Sequence, residues 1–153
     1  MTSTLVLGNA PGDLSRHADT LLRPHHGVTR VGGSTDDLTR ALMAARGPVL
    51  VEDIPGWLAG QLGNRVPLEP AAAQRQVDAQ LDELVVALQA LPFDVVVLSR
   101  ETVPAVAHPE PAQTLLRDLL ERVNRRLSAA CRRVHLVAAG RVLDISGAPL
   151  VGH

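Results

Sequence analysis

The stretch Thr4 to Leu22, "TLVLGNAPGDLSRHADTLL", decides how the rest of the chain is read. An apolar run, Thr4 to Leu7, leads into Gly8; a turn containing Pro11 and Gly12 follows, and a polar helix start falls at Ser15. Strand, glycine turn and helix in that order are what a phosphate-binding loop requires, and G-x-x-x-x-G-K-[ST] is its signature. In that frame Gly8 holds the first glycine and Ser15 the last hydroxyl, but Asp13 stands for the second glycine and Leu14 for the lysine. On the residues alone the segment also reads as an ordinary strand-to-helix turn, with Pro11-Gly12 as its corner and Ser15 as N-cap.

Outward from this stretch, short apolar runs alternate with helical patterns. Residues 4–8, 28–31, 48–53, 94–99, 134–139 and 141–145 read as strands. Several are unbroken Val/Leu runs, which is how strands buried on both faces read. Residues 34–46 read as a helix capped by Ser34 or Thr35. Residues 71–91 place Val77, Leu81, Leu84, Val85 and Leu88 on one stripe, and residues 109–133 repeat Leu115/Leu116, Leu119/Leu120, Val123 and Leu127 at helical spacing. Strands alternating with helices imply right-handed crossovers and a mostly parallel sheet. The last two strands, close together around Gly140, imply a hairpin at the sheet edge. Residues 63–70 are the clearest loop, too short to divide the chain, so residues 1–153 are read as one α/β domain.

Composition agrees. The chain has 153 residues, 46% of them hydrophobic and 20% charged, enough for a packed core. Aromatic residues make up 1%, Trp57 and Phe93, so that core is built from Val, Leu and Ala. A net charge of −1 gives no field that favours nucleic acid or an anionic membrane. The single Cys131 cannot form an internal disulfide and fits a reducing compartment. There is no apolar run of spanning length and no secretory leader, so a cytoplasmic protein without membrane or nucleic-acid partners is expected.

The C-terminal third carries a resemblance. "TLLRDLLERVNRRLSAACRRVHLVAAGRVLDI" is similar to the end of the adenosylcobinamide kinase / adenosylcobinamide-phosphate guanylyltransferase family of cobalamin biosynthesis. Arg117, Asp118, Arg122, Asn124, Leu127, Ala129, Val134, Leu136, Val137 and Gly140 fall in that family's frame without a gap. "GNAPGDLSRHADTLL" resembles the family's phosphate loop at Gly8, Ala10, Ser15, Arg16, His17 and Ala18. "VLVEDIPGWLAGQL" resembles a later motif, with Glu52 on the acidic position and Trp57 on the tryptophan. The resemblance implies a P-loop NTPase-like three-layer α/β sandwich and a homotrimer. It also implies nucleotide contacts at Gly8, Asn9, Ala10, Gly12, Ser15, Arg16 and Glu52. Mg²⁺, brought with GTP or ATP, would meet Ser15 and Glu52. A histidine that takes up GMP covalently is implied between the first helix and the second strand, where His25 and His26 are the candidates.

The departures bear on chemistry. Leu14 cannot hold phosphate, and no replacement lysine exists, since the chain contains none. Asp13 puts a negative charge where polyphosphate would lie, a like-charge contact costing on the order of several kcal/mol at low effective dielectric. The lost charge-assisted contact adds about 1.5–3 kcal/mol. Arg16 is the one nearby cation positioned to swing inward as a substitute. The family's glycine-rich N-E-V-G-x-G loop corresponds to "RETVPAVAHP": Glu101 remains, while Arg100, Val103 and Ala105 replace the asparagine and both glycines.

Ordinary structural roles stand beside these. Glu52 with Asp53 reads equally as the cap of the next short helix, His25-His26 as a solvated loop pair, and His17, His135 and Cys131 as packing or surface residues. The arginines from Arg117 to Arg133 read as a solvated face paired with Asp118 and Glu121. Two functions remain compatible with the chain. One is a degenerate homologue without the kinase step, acting as a binding or regulatory partner with a nucleotide or corrinoid ligand, a protein partner or copies of itself. The other is a minimal nucleotidyltransferase guanylylated on His25 or His26.

Overall fold

Three apolar segments, "STLVLG", "VLV" and "VVVLSR", form strands buried over almost their whole length, which places them in the middle of a sheet covered on both faces. The computed structural model describes residues 2–35, 37–63, 69–102, 107–108 and 110–152. In chain order the elements are β1 (Ser3–Gly8), α1 (Pro11–Leu22), β2 (Thr29–Val31), α2 (Leu38–Ala44), β3 (Val49–Val51), α3 (Ile54–Leu62), α4 (Pro70–Ala90), β4 (Val95–Arg100), α5 (Pro111–Ala130), β5 (Arg133–Ala138) and β6 (Arg141–Asp144). The six strands form one sheet in the order β2-β3-β4-β1-β5-β6. Neighbours are parallel except β5 and β6. The central β1 aligns Leu5 with Val97 of β4 and with Val134 of β5. This is the expected P-loop NTPase-like α/β sandwich with its edge hairpin.

The hairpin turn is Ala139-Gly140, with φ of 51° and 69°. Two successive left-handed residues are what a two-residue turn needs to match the twist of its strands.

Period-two alternation splits the strands between two cores. Leu5, Val49, Val51, Val95, Val97 and Val134 face α2, α3, α4 and α5, around fully buried Leu42, Ile54, Leu58, Leu81 and Leu127. On the opposite face Val6, Leu50, Val96, Leu98 and Val137 pack against α1 alone, through Leu14, Ala18 and Leu22. The stripe of α4 is buried at Val77, Leu81, Leu84 and Leu88. In α5, Leu119, Leu120, Val123 and Leu127 are buried, while Leu115 and Leu116 pack at the margin. Cys131 lies in the larger core, and burial pushes its thiol up to about 11 against a small opposing hydrogen bond with Ser3. It is a small core residue.

Two helix starts differ from expectation. The first helix begins at Pro11 rather than Ser15, with extended Ala10 before it, so Ser15 is no cap and lies in the second turn. Proline in the first turn requires no N–H there, and α1, α3, α4 and α5 all start this way. The second helix begins at Leu38, where Asp37 accepts from the Arg40 N–H at 2.9 Å, not at Ser34 or Thr35. The basic face of α5 is also only partly solvated. Arg125 pairs with Glu121 at 2.9 Å as expected. Arg122, however, holds Asp78 through two bonds of 2.7 and 2.9 Å, and Arg126 reaches Asp82 at 2.7 Å, tying α5 to α4. The forked Arg122 bond holds the Asp78 carboxyl below its usual range despite some desolvation. Residues 64–68 of the expected loop, with Val103, Ala105 and Pro109, lie outside the described residues.

A histidine pair ties α1 to the sheet. His17 Nε2 lies 2.8 Å from His135 Nδ1, and His135 is 7% exposed. Burial, then the His135 charge, lowers the His17 pKa from its ordinary 6.5. Because the unfolded chain then binds the proton more readily, this stabilisation is complete above pH 6.5 and is lost as pH falls below it. His17→Gln is expected to flatten the decline of the urea midpoint between about pH 7 and pH 5 relative to wild type. Leu127→Ala, at a fully buried contact, is expected to lower unfolding free energy by about 2–5 kcal/mol in the same assay.

Candidate functional site

In a sheet wound in both directions, the carboxyl ends of the strands open into a crevice where crossovers diverge to opposite faces. Here the chain leaves β1 for α1 on one face and leaves β3 for α3 on the other. Between them lies a cleft of about 490 Å³, walled by Pro11, Leu14 and Ser15 of α1, by Pro55 and Ala59 of α3, and by the end of β4. Glu52, Asp53 and Arg100 are its charged lining residues.

Gly8 closes β1. A Cβ there would meet the Val137 carbonyl at 2.6 Å and Leu14 Cδ2 at 3.0 Å, so only glycine fits. Asn9 and Ala10, both exposed, are all that separate strand from helix. The N–H groups of Asp13 and Leu14 both donate to the Ala10 carbonyl at 3.1 Å, winding the second half of the loop frame into α1. Gly12, the second residue of the helix, has open space around it. Leu14 is 4% exposed and packs against Val6, Leu98 and Val137. Where a phosphate loop carries a lysine, this chain carries a core residue.

The neighbouring charges are already matched. Asp13 pairs with Arg16 at 3.5 Å, and Arg16 projects outward with 84% of its side chain exposed. Glu52 accepts from Arg30 of β2 at 2.8 Å, and Asp19 of α1 lies 3.6 Å from the same guanidinium. The Glu52 hydrogen bond first, then its charge, raises the Arg30 pKa. Asp53, not Glu52, caps α3, accepting from the Gly56 N–H at 2.9 Å. That geometry holds Gly56 free of side chain, since a Cβ there would meet an Asp53 carboxylate oxygen at 2.3 Å. Among the described residues no group of three or more His, Cys, Asp or Glu side chains converges to hold a metal.

The structure brings Ser15 and Glu52 to one cleft, without Gly8 among the lining residues, and leaves the histidines away from it. His25 Nε2 lies 2.8 Å from Asp94 Oδ2, just before β4 begins, and His26 is exposed beside it. Arg100 ends that same strand in the cleft, so the six residues of β4 separate the two ends of the sheet by roughly 20 Å. His25 and Asp94 are 69 positions apart, and no local pattern announces their pairing. Arg100 is the cleft residue that the loop motif does not point to. Its signal is its place at the carboxyl end of a buried central strand.

Placing a cation on Leu14 tests this packing. Leu14→Lys is expected to cost about 2–4 kcal/mol of stability, through lost apolar burial and a poorly solvated ammonium. Leu14→Met should cost less than about 1.5 kcal/mol. Urea denaturation of the two variants decides it, and equal losses would mean that Leu14 is not packed as described.

Comparison with known proteins adds the family. No curated protein matches the chain. The model of one family, described as cobinamide kinase / cobinamide phosphate guanyltransferase, matches residues 14–145. The matched span starts at Leu14 and leaves out Gly8 to Asp13, the part of the loop frame with the altered turn. It takes in β2 to β6, with the whole edge hairpin, and all five helices but for the first turn of α1. With so much of the chain inside that match, the protein belongs to the cobinamide kinase / cobinamide phosphate guanyltransferase family of cobalamin biosynthesis.

Proposed function

We propose that this chain is a degenerate member of its family that has lost the kinase step and acts in cobalamin biosynthesis as a binding or regulatory partner. The observation that carries the reading is Leu14, buried in the α1 core at the position of the loop lysine. A phosphate cradle works by aiming free N–H groups and a cation at the anion. Here the Asp13 and Leu14 amides are spent on the Ala10 carbonyl, and the lysine is an aliphatic side chain.

The rest of the cleft supports the same reading. Mg²⁺ bound to a nucleotide is held by a loop hydroxyl and an acid at a strand end. Ser15 and Glu52 are the residues that would serve, but Glu52 already neutralises Arg30 at 2.8 Å. Arg16, the substitute cation, is turned to solvent with Asp13. Without a lysine or an uncommitted acid, and with the Asp13 and Leu14 amides already bonded, the loop does not offset the charge of a nucleoside triphosphate. The alternative is GMP transfer through His25 or His26. It would require the nucleotide to reach a histidine at the other end of β4, bound to Asp94. Loss of turnover with retention of the fold points to a role carried by the surface and cleft, either toward a corrinoid ligand or toward a protein partner, including copies of this chain.

Isothermal titration of the purified protein with ATP and with GTP, each with Mg²⁺, is expected to give no saturable heat. Incubation with adenosylcobinamide and either nucleotide should leave it unphosphorylated. Micromolar binding of Mg-GTP, or a GMP adduct on His25 or His26 by mass spectrometry, would overturn the reading.

A further inference from the structure

On the face of the sheet that carries four helices, α2 packs against α4, and a groove follows the seam between them. One end is a cavity of about 150 Å³, lined by Asp37, Leu38, Thr39, Trp57, Gln80 and Glu83. Thr39 and Glu83 also line its continuation toward Met43, Val86 and Ala90. Met43 and Val86 are 59% and 66% exposed, two large apolar side chains side by side on the surface. From Gln80 to Ala90 the groove follows α4 for about 15 Å. The cavity end is polar and unsatisfied. Gln80 donates an amide N–H to Gln61, but its buried Oε1 has no donor among the described residues. A buried acceptor left in that state calls for an N–H. The charged lining residues of the groove are Asp37, Asp82 and Glu83, with no cation among them. Asp37 caps α2 and Asp82 is held by Arg126, while Glu83 has no cationic partner among the described residues.

We propose that this groove docks a helix of a partner protein, with an arginine or lysine seated in the cavity and apolar side chains lying over Met43 and Val86. Charge complementarity selects the occupant. A cationic side chain brings donors to Gln80 Oε1 and Glu83, and Trp57 in the same cavity gives a guanidinium an aromatic wall. An anionic occupant is opposed by the carboxylates, and a wholly apolar one leaves Gln80 Oε1 without a donor. Shape follows from the seam. Ala87 and Ala90 keep the far end shallow between Met43 and Val86, and a helix of about three turns covers the 15 Å, presenting side chains at i, i+4 and i+7. The groove shares no lining residue with the cleft between α1 and α3. The inference therefore extends the partner role proposed above while standing on separate residues.

The probes are stapled, alanine-based helical peptides with one arginine and leucines four and seven positions before or after it, each beside a twin with glutamine for the arginine. Two reporters sit along the groove: Trp57, the single tryptophan of the chain, and Met43, one of its two methionines. An arginine peptide is expected to move Trp57 emission and the ¹³C-methyl signal of Met43 along one saturable curve. Its glutamine twin should bind about ten- to a hundredfold more weakly, as the loss of a charge-assisted hydrogen bond implies. Glu83→Gln should impose a loss of that order on the arginine peptide and none on the twin, and Val86→Asp should weaken both. Both positions are exposed, so unchanged urea midpoints are expected to show these variants folded. Glu121→Gln, outside the groove, should bind as wild type. No saturation at millimolar peptide, or an arginine peptide indifferent to Glu83→Gln, overturns the proposal. So does a Met43 signal that shifts with the concentration of the wild-type protein alone and is restored by Val86→Asp, which would assign the groove to a second copy. Failure here leaves the loss of triphosphate binding standing, because the Mg-nucleotide titration tests that separately.

Discussion

The contact of Leu14 with Gly8 is the constraint on which this end of the molecule depends. β1 is buried on both faces between β4 and β5, so its exit from the sheet must be tight. Gly8 gives that exit its room, with the Val137 carbonyl and the Leu14 side chain occupying the space a Cβ would need. Once Leu14 is drawn into the apolar core with Val6 and Leu98, the helix must begin early, and Pro11 supplies a first residue that needs no hydrogen-bond acceptor. A shortened loop and a filled lysine position are thus two aspects of the same packing. Burial of one leucine, about 1.5–3 kcal/mol, favours the closed turn over an open cradle.

Charge follows the same logic at the strand ends. Arg30 on β2 bridges Asp19 of α1 and Glu52 at the end of β3, so one guanidinium joins three elements across the face that α1 only partly covers. Asp53 turns to the α3 amides. The charged groups at these strand ends are engaged in holding elements together. On the opposite face, two further arginines fasten α5 to α4 through Asp78 and Asp82.

Much of the architecture is legible in the residues themselves. Unbroken runs such as "DVVVLS" and "TLVLG" announce strands buried on two faces, and the leucine spacing of α4 and α5 announces their inner sides. These signals are local and repeated, so they survive errors at single residues. Helix starts are less legible. Ser15, Ser34 and Thr35 are good caps by residue type, but the helices begin at Pro11 and behind Asp37, because the positions of Leu14 and Leu38 in the cores decide where each one starts.

The sequence by itself determined the class of fold, the family frame and the leucine at position 14, since each is written in residue type and spacing along the chain. Only the tertiary structure decided what the replaced residues do. Whether Leu14 is a missing contact or a core residue depends on Val137, which β5 brings from the far end of the chain. Whether Glu52 is free depends on Arg30, 22 positions away, and the role of His25 on Asp94, 69 positions away. Pairings of that range are set by which strands lie side by side and in what register. That is a property of the packed sheet, and no stretch of the chain carries it alone.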